Sequence, residues 1–190
     1  MNRIASLRST VAFGLVCLHA FTQEAHGHTQ TQAPSLCAAN EEPVFSCTLQ
    51  GTGRKMVALC ASPASAQGKR HFHYLYGKPS KIELRFPAIS ISNGKEAFTF
   101  TRLRYAGATG GYAHTFINEG YKYILYSIEG TGFEESGLMV QRQGALRTAS
   151  EMHCRSSTLI KLKNNDLWNE TVSKWNVDAD IDAHGLPSRN

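Results

Sequence analysis

The chain lacks the features of a membrane-spanning or a disordered protein. None of its apolar runs approaches the ~20 residues that a helix needs to cross a bilayer. Only 18% of its 190 residues are charged, while 42% are hydrophobic. This composition excludes a disordered tail or a coiled coil as the body of the protein. The length fits one domain of ordinary size with a tail, and not two large domains.

Catalytic and phosphate-binding motifs are also missing. The sequence contains no G-x-S-x-G, H-E-x-x-H, C-x-x-C-H or G-x-x-x-x-G-K-[ST] pattern. Its Gly-rich segment, Ala106–Gly111, lacks a lysine that would reach a phosphate, and it joins two predicted strands, so we interpret it as a hairpin loop. The adjacent acidic pairs Glu41–Glu42 and Glu134–Glu135 would point apart on a strand, unlike the facing carboxylates of a glycosidase. We expect no cofactor, and the sequence favours a binding protein while leaving catalysis open.

The N-terminus has the layout of an export signal. Arg3 and Arg8 precede a short apolar segment, and Ala25 and Gly27 fit the −3 and −1 positions of a cleavage site. The apolar segment is too short for a membrane anchor, so we expect a periplasmic or secreted protein without one. The predicted organisation is a signal peptide over 1–27, a flexible leader over 28–36, a β-domain over 37–157, and a C-terminal helix with an acidic tail over 158–190.

Four cysteines follow the predicted signal peptide, and an even number in an exported chain indicates two disulfides with three possible connectivities. Cys47 alternates with Phe45 and Leu49 on one predicted strand, and Cys60 ends the next one. The glycines in residues 50–54, between the two strands, are typical of a hairpin turn. Folding about that turn brings Cys47 opposite Cys60. We therefore predict a Cys47–Cys60 disulfide, which leaves Cys37 to pair with Cys154.

The middle of the chain alternates between apolar and polar residues, as strands do. Lys81–Phe86 has Ile82 and Leu84 on one face and charged residues on the other, and Tyr121–Ile128 is rich in aromatic and β-branched residues. Glycine-containing turns punctuate the sequence every ~8–12 residues, with no long helical period. We predict an all-β domain, an antiparallel sandwich or barrel of about seven to nine short strands between Pro43 and Cys154. The other predicted strands cover residues 72–76, 96–105, 111–117 and 137–143.

The C-terminal stretch changes character. Residues 164–175 place Leu167, Val172 and Trp175 roughly on one helical face, with Asn or Asp available as an N-cap, so we predict a short helix that packs Trp168 or Trp175 against the sheet. Beyond Val177 we expect a frayed end. Five acidic residues against two basic ones follow position 163. This asymmetry indicates either an anionic partner or a tail that folds back over the basic body.

Histidines provide the alternative chemistry. His71 and His73 lie two residues apart, so on a strand both imidazoles would face one side and could hold a metal ion, with His114 and His153 as further ligands. No Asp or Glu keeps a fixed spacing to them as a supporting partner. We therefore expect His71 and His73 to be exposed on an edge strand. A metal-binding protein or metalloenzyme that uses His71, His73 and His114 is the alternative function.

Aromatic and basic side chains gather in the middle of the chain. On the predicted strand over 96–105, Phe98 and Phe100 share a face with Arg102 and Arg104, so neither face is purely apolar. Tyr and Arg are also residues that anchor protein interfaces. No stripe of clustered Lys and Arg occurs, so nucleic acid is not an expected partner. The predicted binding residues are Arg102, Arg104, Tyr105, Gly107, Gly110 and Tyr112.

Three segments carry a resemblance to small exported proteins of Gram-negative bacteria: Phe45–Cys47, Val57–Ser62 and Tyr74–Leu84. In architecture the chain is also similar to periplasmic lysozyme inhibitors and immunity proteins, which are small disulfide-stapled β-domains that block a hydrolase with loops. The similarity to the lysozyme inhibitors and immunity proteins implies an inhibitor or immunity protein that blocks a toxin or a cell-wall hydrolase. In that function, the Ala106–Gly111 loop would enter the cleft of the partner protein. An anionic envelope polymer is the other expected partner.

Overall fold

The computed structural model describes residues 34–89, 94–145, 147–148, 150–162 and 164–187. The predicted signal peptide and residues 28–33 of the predicted leader lie outside these ranges. In the described part of the chain, no helix is both long enough and apolar enough to cross a membrane.

In the described residues, ten strands form two antiparallel five-stranded sheets that are not closed into a barrel, which confirms the predicted all-β sandwich. The first sheet has the order β10-β1-β2-β3-β4, and the second has the order β5-β6-β7-β8-β9. The strands are β1 (Glu42–Thr48), β2 (Met56–Ala61), β3 (Phe72–Lys78), β4 (Lys81–Phe86), β5 (Thr99–Arg104), β6 (Gly110–Asn118), β7 (Tyr121–Gly130), β8 (Phe133–Arg142), β9 (Ser150–His153) and β10 (Ile160–Lys161).

The main core fills the space between the sheets, because alternate residues of each strand point inward. Phe98 stacks on Trp175 with ring centroids 5.5 Å apart, and the rings of Tyr74, Phe116 and Tyr123 all contact one another. Each large apolar side chain buried here stabilises the fold by about 1.5–3 kcal/mol. The side chains with no exposed surface include Phe45, Leu49, Leu59, Phe72, Tyr74 and Leu167.

The described ranges also contain three short α-helices: α1 (Gly94–Ala97), α2 (Asn165–Lys174) and α3 (Ala179–His184). The predicted C-terminal helix is α2, and the Asn164 side chain caps it by accepting hydrogen bonds from the N–H groups of Asp166 and Leu167. Trp168 lies in α2 and Trp175 follows its last residue, and both pack against aromatic rings of the core. The predicted strand over 96–105 is shorter than expected, because residues 94–97 are helical.

The disulfides among the described residues are Cys37–Cys60 and Cys47–Cys154, so the four cysteines after the predicted signal peptide are paired but the predicted pairing is wrong. In the β1–β2 hairpin, Cys47 lies opposite Val57, three residues before Cys60. Residues an odd number apart on a strand point to opposite faces. Cys47 therefore points into the main core, whereas Cys60 points outward and packs beside Cys37.

Residues 178–187 lie against the outer face of the second sheet and include α3, so the expected fraying directly beyond Val177 is wrong for these residues. Ile181 of α3 packs on that face with Leu103 and Ile124. Beside it, the buried Lys122 ammonium lies 2.9 Å from a carboxylate oxygen of Asp178 and 2.9 Å from one of Asp180. Of the two interpretations of the charge asymmetry, the structure confirms the acidic tail that folds back over the basic body.

Candidate functional sites

The predicted binding residues Arg102, Arg104 and Tyr105 lie exposed at one end of the second sheet. Together with residues 106–109 of the loop they form what we call the β5–β6 rim. The Tyr105 N–H donates to the carbonyl oxygen of Thr109 at 3.1 Å, which closes the loop. Gly107 has a φ of +72°, a conformation that L side chains rarely adopt, so the loop requires glycine there.

Glycines at the base of the rim are required by close packing of the backbone. A Cβ at Gly111 would lie 2.0 Å from the carbonyl oxygen of Ser127 on the neighbouring strand, and a Cβ at Gly110 would lie 3.3 Å from that of Leu103. Gly110 was a predicted binding residue, and in the structure it packs against the backbone of β5, whereas Gly111 lets β6 and β7 approach each other. The rim is therefore held on a tightly paired part of the sheet.

Tyr112, which was a predicted binding residue, is not exposed. Its side chain is nearly buried, because it faces Phe100 and Trp168 with ring centroids 6.1 Å and 5.4 Å away. Burial raises the pKa of the Tyr112 phenol. Arg102 lies opposite Tyr112 in the sheet, but it remains exposed at the edge of the sandwich.

An exposed aromatic ring extends the rim. Phe133, at the turn between β7 and β8, is 49% exposed. A Cβ added at Gly130 would lie 2.3 Å from the Phe133 ring and 2.8 Å from the Thr109 hydroxyl oxygen, so Phe133 and the rim loop meet at Gly130. Sequence reasoning missed Phe133 because it follows the rim loop by more than 20 residues. Only the pairing of β6 with β7 places the two turns at the same end of the sheet.

The three histidines of the predicted metal set lie apart. His71 is exposed just before β3, whereas His73 is buried on the outer face of the first sheet, with Nε2 3.4 Å from a carboxylate oxygen of Glu41. Burial lowers the pKa of His73, although the Glu41 carboxylate opposes this effect. His114 points into the main core from the second sheet. The structure therefore does not bring these three imidazoles together.

His114 is a core residue. Its ring meets those of Phe100, Tyr112 and Trp175 edge-on, with centroids 5.3–5.5 Å away. Neither ring nitrogen has a hydrogen-bond partner among the described residues. Burial lowers the pKa of His114 to about 3, because a charged imidazole would lose its hydration there. The side chain is therefore neutral at physiological pH.

Two groups of potential metal ligands occur among the described residues. The first consists of Glu41, Cys60 and His73, but the Cys60 sulfur belongs to a disulfide and cannot act as a thiolate ligand. The second group consists of Glu135, Glu151 and His153, whose ligand atoms all lie within 4.8 Å of one another. We call these three residues, together with Tyr126, the Glu–Glu–His cluster.

The Glu–Glu–His cluster is built across three strands on the outer face of the second sheet. Tyr126 of β7 lies opposite Gly137 of β8, which lies opposite His153 of β9. Because Gly137 has no side chain, the Tyr126 ring can extend over it. Its hydroxyl reaches the carboxylate oxygen of Glu151 at 2.9 Å and the Nδ1 atom of His153 at 3.3 Å.

Sequence reasoning found only part of this cluster. His153 was a candidate ligand, but its partners Glu135 and Glu151 were not recognised. The spacing of two between Glu151 and His153 was a usable signal, because it places both side chains on one face of a strand. Glu135 could not be added from the sequence, since its place depends on the register between β8 and β9.

Comparisons with family models, curated proteins and solved structures find no match to this chain. The resemblance to exported Gram-negative proteins and to lysozyme inhibitors therefore stays a prediction.

Proposed function

We propose that this protein is an exported binding protein that engages a partner protein through the β5–β6 rim and Phe133. The observation that carries this proposal is the meeting of two turns at one end of the second sheet. There, Arg102, Arg104, Tyr105 and Phe133 are all exposed. Arginine, tyrosine and phenylalanine are enriched in the anchoring residues of protein interfaces.

Rigidity of the rim supports this function. The loop is closed by its own backbone hydrogen bond, and the glycines at its base pack directly against neighbouring backbone. A surface that is ordered before association loses less conformational entropy on binding, so more of the contact energy appears as affinity. A cleft of about 340 Å³ lies between the rim and α3, and its lining includes Arg102, Tyr105 and His184. This end of the molecule therefore also has a concave surface.

The finer form of the proposal is a periplasmic inhibitor or immunity protein. In this form, residues 106–109 enter the cleft of a toxin or cell-wall hydrolase, with Arg104 and Tyr105 at the mouth of the cleft. Two disulfides fit an oxidising compartment such as the periplasm, and the N-terminal layout fits export into it. An anionic envelope polymer is the second partner class, which the two rim arginines would attract.

Native mass spectrometry of the chain, purified gently from its own envelope fraction, tests this function first. We expect a defined protein adduct. Its affinity is then measured for the double variant Arg104→Ala, Tyr105→Ala and for Phe133→Ser, and we expect a loss of at least about tenfold for each. The matched control is Arg142→Ala, Tyr121→Ala, which removes an exposed Arg–Tyr pair at the opposite end of the same sheet.

Equal affinity of the rim variants and the control would refute the rim as the binding surface. A polymer partner would instead show as binding that weakens steeply with salt and is lost with Arg102 and Arg104 but not with Phe133. The rim arginines are exposed, so their replacement should change the free energy of unfolding by less than about 0.5 kcal/mol, and a loss of binding would not reflect misfolding.

A further inference from the structure

We propose that Glu135, Glu151 and His153 form a binding site for one divalent transition-metal ion of the Zn²⁺ class. This site is independent of the rim, because it lies on the outer face of the second sheet and uses different residues. It also differs from the metal set predicted from the sequence, since it contains neither His71, His73 nor His114.

The spacing of the donor atoms fits a coordination sphere. In a tetrahedral zinc site with bonds of about 2.0–2.1 Å, neighbouring ligand atoms lie roughly 3.3–3.4 Å apart. The Nδ1 atom of His153 lies 3.4 Å from a carboxylate oxygen of Glu135. The ligand atoms of all three residues lie within 4.8 Å of one another, so small side-chain rotations bring them onto one ion.

Tyr126 positions these ligands. Its side chain is completely buried, and its hydroxyl lies 2.9 Å from a carboxylate oxygen of Glu151 and 3.4 Å from one of Glu135. A hydrogen bond from a fixed hydroxyl limits the rotation of a ligating carboxylate, and such supporting groups raise metal affinity. All four residues lie on paired strands, which hold their Cα positions more rigidly than loops do.

Charge and access also favour a cation at this place. Glu135 and Glu151 bring two carboxylates together, and carboxylate oxygens are ligands for divalent ions. The side chains of His153 and Glu135 are 43% and 30% exposed, so an ion can enter from solvent and keep water as a further ligand. An imidazole in the set favours Zn²⁺ and its neighbours over Mg²⁺ and Ca²⁺, which prefer oxygen ligands alone.

Calorimetric titration of the full chain with Zn²⁺, with both disulfides formed and trace metal removed by a chelator, tests the site. We expect one Zn²⁺ per chain and no measurable binding of Mg²⁺. His153→Gln and Glu151→Gln should each weaken Zn²⁺ binding by at least about tenfold. The matched controls are His71→Gln, an exposed histidine elsewhere, and Glu134→Gln, the neighbour of Glu135 on the opposite face of β8. Both controls should bind as the unmodified chain does.

A measurement on the unmodified chain avoids any dependence on how well the variants fold. Co²⁺ replaces Zn²⁺ in such sites and is paramagnetic, so it shifts or broadens the NMR signals of nearby nuclei. We expect the strongest effects at residues 135, 151 and 153. The proposal is overturned if Zn²⁺ does not bind stoichiometrically, if the cluster variants bind as tightly as the controls, or if the strongest Co²⁺ effects lie at His71 or His73.

Discussion

Polar side chains on the two faces of the second sheet have opposite surroundings. On the inner face, His114 is packed among aromatic rings without a hydrogen-bond partner among the described residues, and it stays neutral. On the outer face, β7 carries Lys122 and Tyr126, and each lies at the centre of a polar cluster. On the inner face, the polar ring therefore contributes only by packing. On the outer face, polar groups contribute by ion pairs and hydrogen bonds.

The two outer clusters differ from each other in their chemical groups and in their exposure to solvent. Around Lys122, the chain supplies an ammonium group to the carboxylates of Asp178 and Asp180, and both Lys122 and Asp178 are buried. Around Tyr126, two carboxylates and an imidazole converge on a hydroxyl group, and the side chains of His153 and Glu135 are partly exposed to solvent. We therefore interpret the first cluster as structural and the second as a site for an external cation.

The largest effect is expected from Asp178→Ala. This change leaves the Lys122 ammonium without its buried partner, removes the cap of α3 and takes an acceptor from the Thr115 hydroxyl. Breaking a buried ion pair costs about 3–5 kcal/mol, and we expect about 3 kcal/mol because Asp180 still reaches Lys122. Urea unfolding measures the loss.

Asp180→Ala is the control for this prediction. Its side chain is 85% exposed and its pairing with Lys122 is screened by solvent, so we expect a much smaller loss than for Asp178→Ala. Equal losses of unfolding free energy for the two variants would show that burial of Asp178 does not strengthen its pairing with Lys122. The interpretation of this cluster as structural would then be wrong.

A pH-dependent effect is expected from His114 on the inner face. Its pKa is lowered from 6.5 to about 3 by burial, so the unfolded chain takes up the proton first as pH falls. The contribution of neutral His114 to the free energy of unfolding is complete above pH 6.5. Below that value, the free energy of unfolding falls by about 1.4 kcal/mol per pH unit until about pH 3. His114→Leu should remove this component of the slope.

The measurement is the free energy of unfolding by urea at pH 7 and pH 5 for both proteins. Relative to His114→Leu, the unmodified chain should lose roughly 2 kcal/mol more between these pH values. At pH 7 the variant should be similarly stable, because the leucine removes ring nitrogens that have no partner among the described residues. Parallel pH profiles would show that protons reach His114 in the folded protein, contrary to a closed inner face.

The smallest of the three effects is expected from Tyr126→Phe. The change removes the hydroxyl that donates to Glu151 but keeps the ring over Gly137, so we expect a loss of about 1 kcal/mol in thermal or urea unfolding. Tyr121→Phe, at an exposed tyrosine of the same strand, should change nothing measurable. If Zn²⁺ affinity is unchanged in Tyr126→Phe, the hydroxyl does not position the ligands.

Local patterns in the sequence were enough to predict much of the fold. The strand over Lys81–Phe86 was predicted with its observed bounds, because charged and apolar residues alternate cleanly along it. Helix α2 was predicted from its N-cap and the spacing of Leu167, Val172 and Trp175. These signals act within one element, where side-chain direction follows directly from the backbone period.

Features that depend on strand pairing were not predictable in the same way. The disulfide pairing was wrong because it depended on which residue of β2 lies opposite Cys47, and a shift of one residue reverses the face. Tyr112 was predicted as a binding residue, but it is buried. The sequence did not reveal this, because the burial comes from Trp168 of α2, far along the chain. The Glu–Glu–His cluster likewise needed the register of β8 with β9.

The two disulfides overlap along the chain, because Cys47 lies between Cys37 and Cys60 while its partner Cys154 lies beyond both. A single proteolytic cut anywhere between Cys37 and Cys154 therefore leaves two fragments that are still covalently joined. Cuts in two different intervals between successive cysteines also leave all three fragments linked to each other. The nested pairing of Cys47 with Cys60 inside Cys37 with Cys154 would instead release a piece after cuts on either side of the inner disulfide. In a compartment that contains proteases, the overlapping arrangement keeps the sandwich in one molecule even after its exposed loops have been nicked.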